Sequence, residues 1–191
     1  MKLSELYRQC RTFRKFKQIE IPDQDIDDIL HDLRYVHSGN NRQSLSYIAV
    51  QSKPKRDAIA KVIKYASLLP RSLADPKPDE EAMAYLVIIA DTDHPRTVDI
   101  DTGIAAEYIV ESAFEKGIGS CMMLNFNVQK VNEILSLPQN RTAAMVIALG
   151  YPSHTSEAIE IGAEGSTAYT CDETYHYRVP KKTIRQISKK I

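Results

Sequence analysis

Two short apolar runs constrain this chain more than any other feature. Tyr85–Ala90 and Ala143–Leu149 carry almost no polar side chain, and runs of that length and composition suit strands buried on both faces. Leu45–Val50 reads as a further strand, and a short one passes through Met122 and Met123. Between them lie helical patterns. Residues 3–10 form a short one. Pro22-Asp23 opens a second, with Ile26, Ile29, Leu30, Leu33 and Val36 on one face and Asp23 and Asp25 in a first turn that favours acidic groups. It is expected to stop near Ser38-Gly39. Residues 55–68 align Ile59, Val62, Ile63 and Ala66; Asp101–Lys116 is closed by Gly117 and Gly119; Asn127 caps a helix bearing Val128, Val131, Ile134 and Leu135.

Two segments lack such patterns. Residues 70–81 hold Pro70, Pro76, Pro78 and several charges, and read as a mobile loop inside one domain, because the apolar pattern resumes at once. From Ser153 the chain turns polar, with no core pattern until Ile184, Ile187 and Ile191. The expectation is a single domain over 1–191 in which 153–191 is an arm lying on a partner subunit.

The 191 residues suffice for a sizeable core, and 25 basic residues balance 25 acidic ones. That balance offers no electrostatic signal for nucleic acid or an anionic membrane. Three widely spaced cysteines, Cys10, Cys121 and Cys171, fit a reducing compartment better than a disulfide framework. With no apolar signal core at the start and no membrane-length apolar run, a soluble cytoplasmic protein is expected. The five histidines show no ligand spacing, so no metal site is expected. Gly117-Ile118-Gly119 is no dinucleotide loop: Met122 stands where a third glycine belongs, and the segment follows a helix, so a helix C-cap explains it.

Three polar cassettes remain, in fixed order: Arg11-Thr12-Phe13-Arg14-Lys15-Phe16, Ser38-Gly39-Asn40-Asn41-Arg42-Gln43 and His176-Tyr177-Arg178-Val179-Pro180. By itself the first reads as an ordinary solvated basic turn, and a binding role requires Arg11, Thr12 and Arg14 to converge on one anion. The second is a helix stop and turn, which accounts for Gly39 and one Asn but not for Asn41 and Gln43 just before a core strand. Together the clusters could cradle an anionic, flat ligand, with Arg forks for phosphate and Gly for close backbone approach.

In order and spacing these cassettes resemble the nitroreductase family of FMN-dependent oxidoreductases. Cys10 to Phe16 matches its opening Arg-Arg-Ser-x-Arg-x-Phe motif, with Cys10 in place of the first Arg. Ser38, Asn41, Gln43 and Tyr47 match its second motif, while Ser44 and Leu45 replace Pro and Trp. The run from Asp101 to Gly119 is similar to its central helix, Ala148–Pro152 to its closing strand, and His176, Arg178 and Pro180 to its C-terminal basic motif. The resemblance implies an α+β fold, a three-layer α-β-α sandwich on a mainly antiparallel sheet, in an intertwined homodimer with FMN at the interface. It implies that Arg11, Thr12 and Arg14, with Arg178 and His176, hold the phosphate and ribityl chain. Ser38, Gly39 and Asn41 would approach from the other subunit. Met123, Leu124 and Asn125 would line the isoalloxazine ring. The implied activity is hydride transfer from NADH or NADPH through the flavin to a small acceptor such as a quinone or nitroaromatic. A flavin-binding carrier or sensor, or a specialised dehalogenating or flavin-fragmenting enzyme, would use the same cradle.

Overall fold

A computed structural model describes residues 2–66, 68–93, 97–162 and 165–191. The two apolar runs become neighbours. β2 (Ala84–Asp91) and β4 (Arg141–Gly150) pair antiparallel at the centre of a four-stranded sheet. β1 (Leu45–Val50) adds to β2 and β3 (Gly119–Met123) to β4, giving the order β1-β2-β4-β3, antiparallel throughout. A register shift between Ile88 and Ile89 places an extra residue of β4 at that point.

Strand alternation sends side chains to both faces, and each face is covered. Tyr85, Val87, Ile89, Cys121, Met123 and Val146 pack against Ile59 of α3 (Lys53–Ala60) and Val131 and Leu135 of α6 (Val128–Leu135). Leu86, Ile88, Met145, Ile147 and Leu149 pack against Ile26 and Ile29 of α2 (Asp23–Asp32) and Ala105, Ala106, Ile109 and Ala113 of α5 (Val98–Glu115). The result is the expected three-layer α+β sandwich.

Helix ends follow their local chemistry. Gly117, at φ 76°, stops α5 in a Schellman turn: its N–H donates to Phe114 O (2.9 Å) and that of Ile118 to Ala113 O (2.9 Å). The Asn127 side chain accepts from Lys130 N–H at 3.0 Å, as expected of an N-cap. Gly119 plays no part in the stop. It opens β3, where a Cβ would stand 2.7 Å from Pro152 Cγ and 2.9 Å from the Phe13 ring.

Three expectations need correction. The helix placed at 22–38 is α-helical only to Asp32, and then tightens into a 3-10 turn over Leu33–Tyr35. The helix placed at 55–68 runs from Lys53 to Ala60 only. Beyond it the backbone finds partners across the chain: Ile63 bridges Phe126, Lys64 N–H donates to Asn125 O (2.9 Å), and Val62 O accepts from Asn127 N–H (2.9 Å). Ser67, within the expected helix, lies outside the described residues, as does His94. The expected loop at 70–81 contains a helical turn, α4 (Arg71–Ala74), with Ala74 buried, and is tied down at Glu80. Glu80 Oε2 takes the buried Lys15 ammonium at 2.7 Å, and Glu80 O accepts from Phe16 N–H at 2.9 Å.

Within the chain itself, the tail from Ser153 forms a small sheet of its own. β5 (Thr155–Glu160) runs parallel to β7 (His176–Lys181), and β6 (Thr170–Cys171) pairs antiparallel with β7. Tyr177 is fully buried and its hydroxyl donates to Leu73 O at 3.3 Å. The apolar groups left uncovered come at the end, where Ile184 and Ile187 of α7 (Ile184–Ile187) and Ile191 are exposed. α1 (Leu3–Gln9) leads into the first cassette.

Gly150 sits beneath Phe16, and a Cβ there would meet Phe16 Cβ, Cγ and Cδ1 at 2.8 Å. Gly150→Ala should therefore destabilise the fold by about 1–3 kcal/mol through overpacking, read as a lower denaturation midpoint in urea at unchanged slope.

Candidate cofactor cleft

The first cassette is an extended strap along the outer edge of β3. Thr12 bridges Ser120 in parallel and Phe13 N–H donates to Ser120 O at 2.8 Å. Phe13 and Phe16 are buried against Gly119 and Gly150. With those rings anchored, Arg14 turns its guanidinium over Tyr169 (4.7 Å to the centroid) and Tyr177 (5.1 Å), a desolvated cation–π arrangement. Arg11 reaches the Tyr7 carbonyl. Among the described residues, the Nε atoms of Arg11 and Arg14 are both buried without a hydrogen-bond partner, which marks them as donors suited to an acceptor.

Two adjoining cavities open along this edge. One, of about 440 Å³, is lined by Cys10, Arg11, Glu107 and Lys181; the other, of about 300 Å³, by Lys64, Met123, Leu124 and Asn125. Thr12, Arg14, Met122 and Tyr169 line both, so the two form one cleft. Its first end gathers three cations, Arg11, Arg14 and Lys181, around one carboxylate, Glu107. Burial, then the nearby Glu107 charge, pushes the Cys10 thiol up to about 11, so it is held neutral and is no thiolate nucleophile. Burial and the same Glu107 raise Glu111.

The structure brings Arg11, Thr12, Arg14, Met123, Leu124 and Asn125 together. Their parts differ. Met123 is buried in the core beneath the cleft, whereas Leu124 is 72% exposed and Asn125 gives its carbonyl to Lys64 N–H. Met122, which the sequence reasoning passed over, projects from the opposite face of β3. Because Ser120 O points away from β4 to Phe13, alternation puts the Met122 N–H on that same outer edge.

The single chain does not bring the other expected residues to this cleft. Ser38, Gly39 and Asn41 form a tight turn elsewhere, with Asn40 and Asn41 at φ 55° and 52°, which Asn tolerates better than most residues. Gly39 N–H donates to the buried Asp101 Oδ1 at 3.0 Å, and a Cβ at Gly39 would strike Thr97 at 2.8 Å. His176 and Arg178 lie on the face of β7 turned away from the cleft and pair with Glu157, at 2.9 and 3.6 Å. Val179 and Lys181, offset by one residue, line the cleft instead. Alternation along 176–181 puts Lys181 on the face opposite Arg178, and which face meets the cleft is set by the fold.

His154 is a further residue missed. It is buried, its Nε2 accepts from Arg14 N–H at 2.9 Å, and its ring packs on Tyr177 (centroids 4.5 Å apart). With Nε2 accepting, the proton sits on Nδ1, which faces Thr155 O at 3.2 Å. Burial above all pulls its pKa down to about 4. A histidine whose folded pKa is depressed stabilises the fold fully above its unfolded value of about 6.5, and that stability is lost as pH falls towards about 4. Denaturant titrations across pH 4–7 should show this acid loss, and His154→Gln should flatten it.

The family model for the nitroreductase family matches residues 7–151. A relative from Archaeoglobus fulgidus, provisionally named an NADH dehydrogenase/NAD(P)H nitroreductase, is 25% identical over 158 residues, covering 78% of this chain and 85% of its own. Among solved structures, a nitroreductase family protein from Clostridium novyi NT superposes with a TM-score of 0.68 at 24% identity, over 80% of this chain and 86% of that one. An FMN-dependent nitroreductase from Clostridium difficile R20291 gives 0.64 at 24% identity, over 77% and 86%. Because that family model spans residues 7–151, well over half of the chain, this protein belongs to the nitroreductase family.

Proposed function

We propose that this chain is an NAD(P)H-dependent oxidoreductase that holds FMN in the cleft along β3 and passes electrons to a small organic acceptor. The observation that carries the reading is the pair of buried Nε donors of Arg11 and Arg14, without a partner among the described residues, beside Lys181 at one end of a cleft whose other end is lined by Met122, Met123, Leu124 and Asn125. That donor set suits a terminal phosphate, and the second end, with its backbone groups and methionine and leucine side chains, suits a ring. No dinucleotide loop accompanies it. Both the family and the FMN-dependent relative support the choice.

In this arrangement Arg11, Arg14 and Lys181 hold the phosphate, and the Thr12 hydroxyl reaches the chain between phosphate and ring. Leu124 and Asn125 border the ring, and Met122 offers its outward N–H to it. Bound FMN supplies the hydride chemistry. The chain contributes placement, a fixed N–H dipole and exclusion of water by Tyr169 and Arg14; no side-chain acid or base is required. The cleft is open on one side, and a second copy of the chain, bringing Ser38, Gly39 and Asn41, would close it. The exposed Ile100 on α5 and the exposed isoleucines of the last segment are the apolar surface for such a homodimer.

Three measurements test this. The chromophore released by denaturation should have the mass of FMN; FAD, or no flavin after reconstitution, overturns the assignment. Arg11→Ala and Lys181→Ala should each weaken FMN binding by roughly tenfold to a hundredfold, the cost of one charge-assisted phosphate contact, while Arg178→Ala on the far face has the smaller effect. Anaerobic NADH or NADPH should bleach the flavin absorbance, and an added quinone should restore it with ping-pong kinetics. Flavin that stays oxidised under excess reduced nicotinamide would make the protein a carrier or sensor.

A further inference from the structure

The backbone pairing that ends α3 also builds a cavity. Ile63 bridges Phe126, and the bonds from Lys64 N–H to Asn125 O and from Asn127 N–H to Val62 O hold the two segments side by side. A cavity of about 370 Å³ opens along this short ladder. It shares Lys64 and Asn125 with the end of the cleft that suits a ring.

Three lysines line it: Lys61 where α3 ends, Lys64 on the ladder, and Lys130 in the first turn of α6. All three are exposed, and their ammonium groups have no ion-pair partner among the described residues. No acidic side chain lines the cavity. Asp57, one turn before Lys61 on α3, is already taken by Lys53 at 2.9 Å. The α6 end adds to the same sign. Its cap residue Asn127 lines the cavity, and its first turn carries no acidic residue to offset the positive end of the helix dipole. Three cations around one space repel one another, and a bound anion removes that cost. Lysine ammonium groups beside a helix N-terminus suit a dense oxyanion such as a phosphate.

We infer that this lysine-lined cavity is the phosphate subsite for the reduced nicotinamide dinucleotide, separate from the phosphate end of the cofactor cleft. The inference rests on the oxidoreductase reading for the identity of the ligand. Position carries it. Arg11, Arg14 and Lys181 lie at the other end of the cleft and line no part of this cavity. Among the reactants, the reduced nicotinamide is the one that brings both a flat ring and phosphates on a linker. With its ring at the shared end, the linker leads past Lys64 and Asn125 into the lysine group. Two phosphates have the required charge: the diphosphate bridge, common to NADH and NADPH, and the 2′-phosphate of NADPH.

Calorimetric titration of adenosine 2′,5′-bisphosphate and of adenosine 5′-diphosphate into protein saturated with FMN tests the subsite without turnover, with the cofactor end of the cleft already filled. Tighter binding of the bisphosphate makes the 2′-phosphate the group held and NADPH the co-substrate; equal or tighter binding of the diphosphate makes it the bridge. In either case Lys61→Gln and Lys130→Gln should each weaken the tighter ligand roughly three- to tenfold, between the worth of an exposed ion pair and that of a charge-assisted hydrogen bond. Neither should lower Tm, because both side chains are exposed and unpaired. Flavin reduction by N-benzyl dihydronicotinamide, a hydride donor without phosphate, should be unchanged in both variants. Unchanged affinity for both nucleotides in both variants, or an equal loss of rate with the phosphate-free donor, overturns the subsite. If neither that donor nor NAD(P)H reduces the flavin of the unaltered protein, the oxidoreductase reading fails, and the titration still judges whether the lysines hold phosphate.

Discussion

The structure hangs on the strap from Thr12 to Phe16. Strand β3 is the edge of the main sheet, and an open edge is an invitation to wrong pairing. The strap covers it at one end: Phe13 N–H takes Ser120 O, and two glycines, Gly119 and Gly150, let the Phe13 and Phe16 rings lie against strand backbone. The same few residues then reach outwards. Lys15 holds Glu80 and the Asp75 carbonyl, Lys15 O accepts from Ser153 N–H at 3.1 Å, and Arg14 N–H takes His154. Loop, sheet edge and C-terminal segment meet at one length of extended backbone.

That convergence explains why the candidate site lies where it does. The outer edge of β3 beyond the strap offers backbone groups, and the strap delivers Arg11 and Arg14 to the end of that edge. Arg14 cannot be read as a solvated charge here. It is stacked between Tyr169 and Tyr177, with one donor unspent. The neutral His154 beneath it fits the same logic: a protonated imidazole would add a second buried cation beside Arg14 and Lys15, and both charges oppose its protonation.

A buried Lys15 is costly unless its partners hold. At 1% exposure it has a carboxylate, a carbonyl and the Tyr175 ring 4.3 Å from its ammonium. This satisfied group sits one residue from the unsatisfied guanidinium of Arg14. The contrast separates structural from functional cations within one cassette, which composition alone could not do.

The sequence by itself determined the elements of the sandwich. Continuous apolar runs at 85–90 and 143–149, and the 3.6-residue periodicity of the covering helices, depend only on which side chains avoid water, so strands, helices and the caps at Gly117 and Asn127 were legible, while the three-layer arrangement came with the resemblance to the family. Arg11, Thr12, Arg14 and the β3 segment, singled out by the resemblance, line one cleft. Tertiary structure decided the rest. Helix α3 stopped at Ala60 because Val62, Ile63 and Lys64 found backbone partners near Phe126, a choice no local pattern records. Residues 153–181 lacked an apolar code because their burial rests on Tyr177, His154 and strand pairing, with polar groups satisfied by distant ones. Which side of β7 faces the cleft, and hence whether Arg178 or Lys181 enters it, is a one-residue matter of register, and register is fixed by contacts made across the fold.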